Sequence, residues 1–575
     1  DRFWVHNHEH PSLPKTLFAI SNLAQQKWQI FDSATKAHRF PAMVSAGLIL
    51  WLVFIFGARS YGRAAGAFAA LAFAAMPRPF YHAHLNCFDI PIVLSTLFTT
   101  YCYWRSLEKP SWALMAGIAI GLSLETKHNT WILPGIYLIH WSFVVWRERR
   151  RRSSGRSKRS SYVPWWLFGM LALGPAIFIL LWPWMWFDTF VRLDRYGGFH
   201  LNHEHYVYQF LGESWWQPPF PISVPFVMTW YTLPAITSLL ALAGLATRAR
   251  ALLPAGLDAR LWPNGRVEAD ARCTDVLFFG CLLAPMLAIA LPTSPIFGGT
   301  KHWFTAYPFL ALFAGVGFRR MALIAQRMIH AHLPRPLSTA VPVLLAAICL
   351  APAVVQTAHA HPMGLAFYSY PAGGLPGAAD DGMNRQFWGY IHGGLADWFR
   401  EAMPDGGSVY LCDATWVSWH MMQKDGLIPD NIRGTGDIGS ADYAMVHHEE
   451  HFAEVDFQAW MAYGSVKPVR VLSYDGVPVV SVYENPRARA RAERREAAAQ
   501  RLRRPEVRPR EGPGPPAPTM DAAARRARPS TPTMDAAARR ARPSGPAHLI
   551  RGAGAIRQVD GPAGADVDLR LEGER

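Results

Sequence analysis

Ten runs of about 15 to 23 largely apolar residues recur between residues 41 and 357, and they dictate what this chain can fold into. They fall at 43–58, 63–77, 89–107, 111–125, 129–146, 164–186, 227–246, 274–292, 303–318 and 338–357. About 20 apolar residues in a helix cross the hydrocarbon of a bilayer. Inside lipid, backbone polar groups must be satisfied within a helix or a closed barrel. The runs therefore predict a polytopic α-helical membrane protein. The stretches 63–77 and 111–125 are shorter than a full span.

The basic residues order these spans. The loop Arg147–Arg159, RERRRRSSGRSKR, is the strongest positive anchor and is expected in the cytoplasm. Counting outward from it places 58–63, 105–110, 247–273 and 319–337 on the same side, and all are basic. The loops 1–42, 78–88, 126–129, 187–226 and 293–302 then lie outside, as does everything after Thr357. The expected location is a plasma (inner) membrane, with the outer loops and the C-terminal region outside the cytoplasm.

The net charge of +15 resides mostly in basic loops and the tail, and no groove-reading motif accompanies it, which argues against nucleic acid as a partner. Six cysteines are scattered without disulfide or metal-ligand spacing. Residues 358–485 read as a small α/β domain. Strands are expected at Ser408–Ala414 and Asp442–His448, helices at 415–424 and 454–463, and a hairpin at Val469–Glu484 turning on Asp475-Gly476. Residues 486–575 are rich in Arg, Ala and Pro, repeat TMDAAARRARPS twice, and have a composition expected to stay disordered.

The outer loops share a chemistry that the basic loops lack. The first carries Glu9, His10 and Lys15, and the second Arg78, His82 and Asp89. The third has Lys127 and His128, the fourth His203, Glu204, His205 and Trp215, and the fifth Lys301 and His302. Interfacial His, Lys and Trp also anchor helix ends. Such anchoring explains poorly why acid–base groups recur loop after loop on one side, and ionisable groups at membrane depth are functional candidates. His203-Glu204-His205 echoes His8-Glu9-His10. The two runs are read as acceptor binding or loop packing ahead of a divalent-metal site, because imidazoles two residues apart diverge on a helix and converge only in a strand or loop. Trp215 and Trp216 suit a membrane-surface belt ahead of a platform for sugar stacking.

Four segments resemble one family in order. His10-Pro11-Ser12-Leu13-Pro14-Lys15 resembles the His-Pro-Pro-Leu-Gly-Lys motif of protein O-mannosyltransferases and of their bacterial relatives, the phospholipid-carrier-dependent glycosyltransferases of family 39. HAHLNCFDIPIVLSTLF (82–98) is similar to that family's second outer loop, with Asp89 at the position of its Asp. GIAIGLSLETKHNTWILPG (117–135) and GGTKHWFTAYPFLALFAGVG (298–317) resemble its later Thr-Lys turn and its late helix. Ser12 and Pro14 depart from the motif.

The resemblance implies a GT-C-like bundle of about 10–11 transmembrane helices and transfer of a sugar from a polyprenyl-phosphate carrier to an acceptor hydroxyl or amine. The first outer loop (1–42), a catalytic bundle (43–357), an outer accessory domain and the tail would be its parts. Glu9 and Asp89 are then the visible catalytic carboxylates. His10, Lys15, Arg78, His82, Lys127, His128, Lys301 and His302 are candidates for the carrier phosphate, and His203, Glu204, His205 and Trp215 for the sugar or acceptor. No cofactor is firmly implied, and a divalent metal is kept as the lesser alternative. The family's usual acid, in an Asp-Glu pair well before the His-Pro motif, is not visible, and Asp1 is too close to His10 to match it. That carboxylate and one further crossing are expected ahead of residue 1. The alternative is a transporter or flippase for lipid-linked or small polar solutes; inverted repeats would favour it, and none is visible.

Overall fold

A computed structural model of the chain describes residues 4, 7–153, 163–252, 269–296, 298–330, 335–389, 391–411, 415–449, 452–490, 493, 494 and 497. The repeated TMDAAARRARPS tail, and the end of the Arg147–Arg159 loop from residue 154 on, lie outside the described residues.

The expected spans become helices with shifted ends. They are α2 (Ala34–Tyr61), α3 (Arg63–Ala74), α5 (Asp89–Ser106), α6 (Trp112–Leu124), α7 (Leu133–Ser153) and α8 (Trp165–Leu181), then Thr274–Ala290, Tyr307–His330 and Arg335–Ala360. Three described segments are long and apolar enough to cross a membrane alone: Ala34–Tyr61, Gly299–Ile329 and Ala340–Ala360. Five shorter apolar helices accompany them. The chain is a mostly helical integral membrane protein with a small sheet domain.

Two differences from the sequence reading matter. The span 227–246 is two helices, α10 (Val224–Thr232) and α11 (Ala235–Ala249), separated at Leu233 and Pro234. A proline cannot donate the hydrogen bond that would carry the helix through. The loops expected on the outer side also hold helices of their own: α1 (Ser12–Trp28), α4 (Pro77–His82) and α9 (Thr189–Leu201). On α9 the residues Arg192, Tyr196 and His200 recur every four positions and face inward, while Phe190 and Leu201 are exposed.

Packing depends on small residues where helices cross. A Cβ on Gly117 of α6 would lie 2.3 Å from the Gly169 carbonyl oxygen of α8, and one on Gly169 would lie 2.4 Å from that of Ala113. Lipid offers little hydrophobic drive for helix association, so such close backbone approach supplies the contact.

The two ends of the bundle differ as the loop charges do. At the basic end the buried Asp275 accepts from Tyr61 Oη (2.8 Å) and from Arg248 Nε and Nη2 (2.7 and 2.6 Å). Arg272 lies 3.4 Å from the centre of the Trp104 ring and pairs with Glu108. Trp104 is near one end of α5 and Asp89 begins the other, about 22 Å away at the helical rise.

The hairpin expected at Val469–Glu484 is β6 (Arg470–Tyr474) against β7 (Val477–Glu484). It belongs to a five-stranded sheet of order β4-β3-β5-β7-β6, with β3 at Gly407–Tyr410, β4 at Ile432–Thr435 and β5 at Tyr443–His447. The pairs of β3 with β4 and with β5 are parallel, and those of β7 with β5 and with β6 antiparallel. Helices fill Thr415–Lys424 and Ala453–Tyr463. The strand β4 has little sequence signal, because Ile432-Arg433-Gly434-Thr435 is short and carries a glycine.

Candidate active site

The five loops assigned to one side meet. A cleft of about 310 Å³ is lined by Glu9 and His10 from the first, Lys127, His128 and Asn129 from the third, Phe199, His200 and His203 from the fourth, and Ser294, Pro295, Lys301 and His302 from the fifth. The second loop stands behind it. There Asp89, 4 % exposed at the start of α5, pairs through Oδ1 with Lys127 Nζ at 2.9 Å and through Oδ2 with His82 Nδ1 at 3.1 Å. Asn129 Nδ2 donates to the His302 carbonyl at 3.2 Å, tying the third loop to the fifth.

The imidazoles form a stack. His128 and His200 have ring centres 3.9 Å apart, and His10 stacks on His200 at 6.2 Å and tilts against Phe88 at 5.0 Å. The His200 ring also bonds the Glu9 carbonyl at 3.0 Å through Nε2. Burial, then the neighbouring Lys127 ammonium, holds His10 well below its ordinary value. Burial and His200 do the same for His128, and burial brings His200 down to about 4. The three rings are therefore neutral at pH 7, each able to donate at one nitrogen and accept at the other. The fixed positive charges at the cleft are those of Lys127 and Lys301.

Several expected site residues lie elsewhere. Arg78, 1 % exposed, donates from Nε and Nη2 to the Phe367 carbonyl (both 3.2 Å) and is flanked by the Tyr368 and Phe387 rings, so it braces the loop rather than facing the cleft. Lys15 donates to the carbonyls of Asn7 and His10 and lies over the Trp4 ring. Burial brings its ammonium down to about 8. Of the fourth-loop run, only His203 lines the cleft. Glu204 is exposed, with its carbonyl toward His203 Nδ1. His205 packs on Phe220. Trp215 ends β2 (Glu213–Trp215), which pairs with β1 (Tyr208–Phe210). Asp89 and His82 are separated from the cleft by Lys127 and Lys301.

The His-Glu-His runs do not form a metal-holding group among the described residues; the group whose ligand atoms lie within 4.8 Å of one another is His82, Cys87 and Asp89. Lys127 already bonds that carboxylate, and burial holds His82 below its ordinary value despite the Asp89 bond. A divalent cation there would have to displace an ammonium and sit beside it, which Coulomb repulsion opposes.

Two residues of the site are absent from the sequence reading. His200 is hidden because 187–226 reads as loop, although the Arg192-Tyr196-His200 spacing marks a helix face. Glu125 reads as the end of a span. It is fully buried just past α6, where its Oε2 accepts from Ser12 Oγ at 2.9 Å. Ser12, a departure from the family motif, thereby fixes the first loop to the end of α6.

Residues 18–183 match the family described as dolichyl-phosphate-mannose-protein mannosyltransferase, which bears out the family resemblance over that stretch. It contains the segments 82–98 and 117–135; those at 10–15 and 298–317 lie outside it. No curated protein matches the chain. Among solved structures, the chain is similar to ArnT from Cupriavidus metallidurans bound to undecaprenyl phosphate, at 15 % identity over 82 % of this chain and 88 % of that one, TM-score 0.41. The apo state of the same protein gives 15 % identity, 82 % and 87 % coverage, and TM-score 0.42. The oligosaccharyltransferase of Archaeoglobus fulgidus in its apo form gives 13 % identity, TM-score 0.40, and coverage of 80 % of this chain and 64 % of that one.

Proposed function

We propose that this chain is a membrane glycosyltransferase that moves a sugar from a polyprenyl-phosphate carrier to an acceptor hydroxyl or amine. The observation that carries the reading is the convergence of four of the five loops on one cleft, with Lys127 and Lys301 at its wall and the ion-paired carboxylate of the second loop behind. The family match over 18–183 supports the reaction class.

In that reaction the acceptor's oxygen or nitrogen attacks the anomeric carbon, the bond from that carbon to the phosphate oxygen breaks, and the lipid phosphate leaves with the bonding pair. The phosphate gains negative charge as it departs, and fixed ammonium groups already in place stabilise it without reorganisation. Lys127 and Lys301 take that role. Asp89 acts as a positioning residue, holding Lys127 through Oδ1 while His82 holds Oδ2. The neutral His10, His128 and His200 suit hydrogen bonds to sugar hydroxyls. Glu9, on the cleft, is the carboxylate placed to take the acceptor proton as general base.

By the excess of Lys and Arg in the opposite loops, the cleft faces away from the cytoplasm. The test is transfer of labelled sugar from a panel of polyprenyl-phosphate donors by the purified chain, assayed with peptide, glycolipid and polymer acceptors. Transfer that disappears in Lys127→Ala supports the reading. Absence of transfer from every donor, with the protein folded, overturns it.

A further inference from the structure

Trp388, in the C-terminal domain, packs against a cation of the cleft wall. Trp388 follows the Tyr368–Phe387 wall around Arg78, and its ring lies 4.1 Å from Lys301 Nζ, well inside cation–π range. The same indole meets the His82 ring edge-on, with centres 5.3 Å apart and planes at 78°. Trp388 thus touches both the Lys301 ammonium and, through His82 and Asp89, the support of Lys127.

Its placement is costly and specifically accommodated. Trp388 has φ of 66°, a left-handed conformation that bulky residues seldom adopt. Gly298, also left-handed at 65°, leaves the space: a Cβ there would lie 2.3 Å from the indole Nε1. Gly298 is three residues before Lys301, so the turn that admits the ring also delivers the ammonium to it.

We propose that Trp388 is a positioning residue that orients Lys301 toward the anionic phosphate of a lipid carrier, so that the outer domain completes the phosphate site. The inference rests on the glycosyl-transfer reading. Without the ring, the ammonium has more conformations to lose on binding phosphate, and affinity for the carrier falls.

The experiment is a double-mutant cycle on the full chain in detergent, with undecaprenyl phosphate carrying no sugar as the probe. Wild type, Trp388→Leu, Trp388→Phe, Lys301→Ala and the two Trp388 variants combined with Lys301→Ala are compared, each with its melting temperature. Trp388→Leu is expected to weaken binding by about 2- to 30-fold. Trp388→Phe, which keeps a ring, weakens it less, and neither substitution weakens Lys301→Ala further. Unchanged binding in folded Trp388→Leu, or an equal additional loss in the Lys301→Ala background, overturns the proposal. If Trp388→Leu does not fold, the Trp388→Phe arm decides by the same additivity criterion. If wild type transfers sugar normally while the cycle is additive, only the role of Trp388 falls; if wild type neither binds the probe nor transfers sugar, the glycosyl-transfer reading falls and takes this inference with it.

Discussion

Replacing Asp89 by Asn separates a residue that performs chemistry from one that holds a cation in place. The Asp89–Lys127 contact is 2.9 Å, between side chains 5 % and 12 % exposed. At an effective dielectric of about 20, two unit charges at that distance attract by about 6 kcal/mol, much of it offset by the cost of removing both from water. Removing one partner leaves the other charge buried and alone, a loss of about 3–5 kcal/mol. The amide of Asp89→Asn would keep the shape and one hydrogen bond to His82 while leaving Lys127 without its counter-charge. Loss of one preorganised charge-stabilising group lowers turnover by about 10²- to 10³-fold. Donor-to-acceptor transfer is measured alongside thermal unfolding for Asp89→Asn, Lys127→Ala and the double variant. Since Asp89 acts through Lys127, the double variant should be no slower than Lys127→Ala. Two outcomes refute the argument: transfer by Asp89→Asn within two-fold of wild type, or a double variant slower than Lys127→Ala by the full Asp89→Asn factor.

Glu9→Gln should lower kcat by about 10²- to 10⁴-fold with little change in KM for the donor, since it removes a base and not a cation; a KM effect alone would assign Glu9 to binding. The neutral imidazole stack predicts loss of stability in acid. His200 takes up its proton near pH 6.5 when unfolded but only near 4 when folded, so the unfolded state binds more protons between these values and stability falls as pH drops through that window. The contribution of His200 is about 2–3 kcal/mol at pH 4, and His200→Gln should flatten the melting temperature against pH between 7 and 4.5 relative to wild type. Gly117→Val should lower thermal stability by about 1–3 kcal/mol, because the added carbons meet the Gly169 carbonyl; an unchanged melting temperature would remove that crossing as a determinant. Cysteines introduced singly at Glu204 and at Arg149 should react oppositely with a membrane-impermeant thiol reagent in intact cells, Glu204 labelled and Arg149 protected. Equal labelling would contradict the assigned sidedness.

Most of the framework was legible in the sequence because span-forming apolar runs and loop charge are local properties. A run such as 89–107 buries itself in lipid whatever its neighbours, and a basic loop such as 147–159 biases its own side. The same locality exposed the hairpin at Asp475-Gly476 and the titratable groups of the outer loops. The sequence by itself thus determined a membrane bundle and the residue types available at one end of it. Which of those side chains face the cleft was decided only by tertiary structure, because side-chain direction in a loop depends on what packs against it. Asp89 stands behind Lys127 rather than on the cleft, Arg78 is turned into the Phe367 carbonyl, and His200 comes forward on a helix hidden within an apparent loop. Trp388 is far from Lys301 along the chain, and only the Gly298 turn and the packing of the outer domain bring the ring beneath the ammonium.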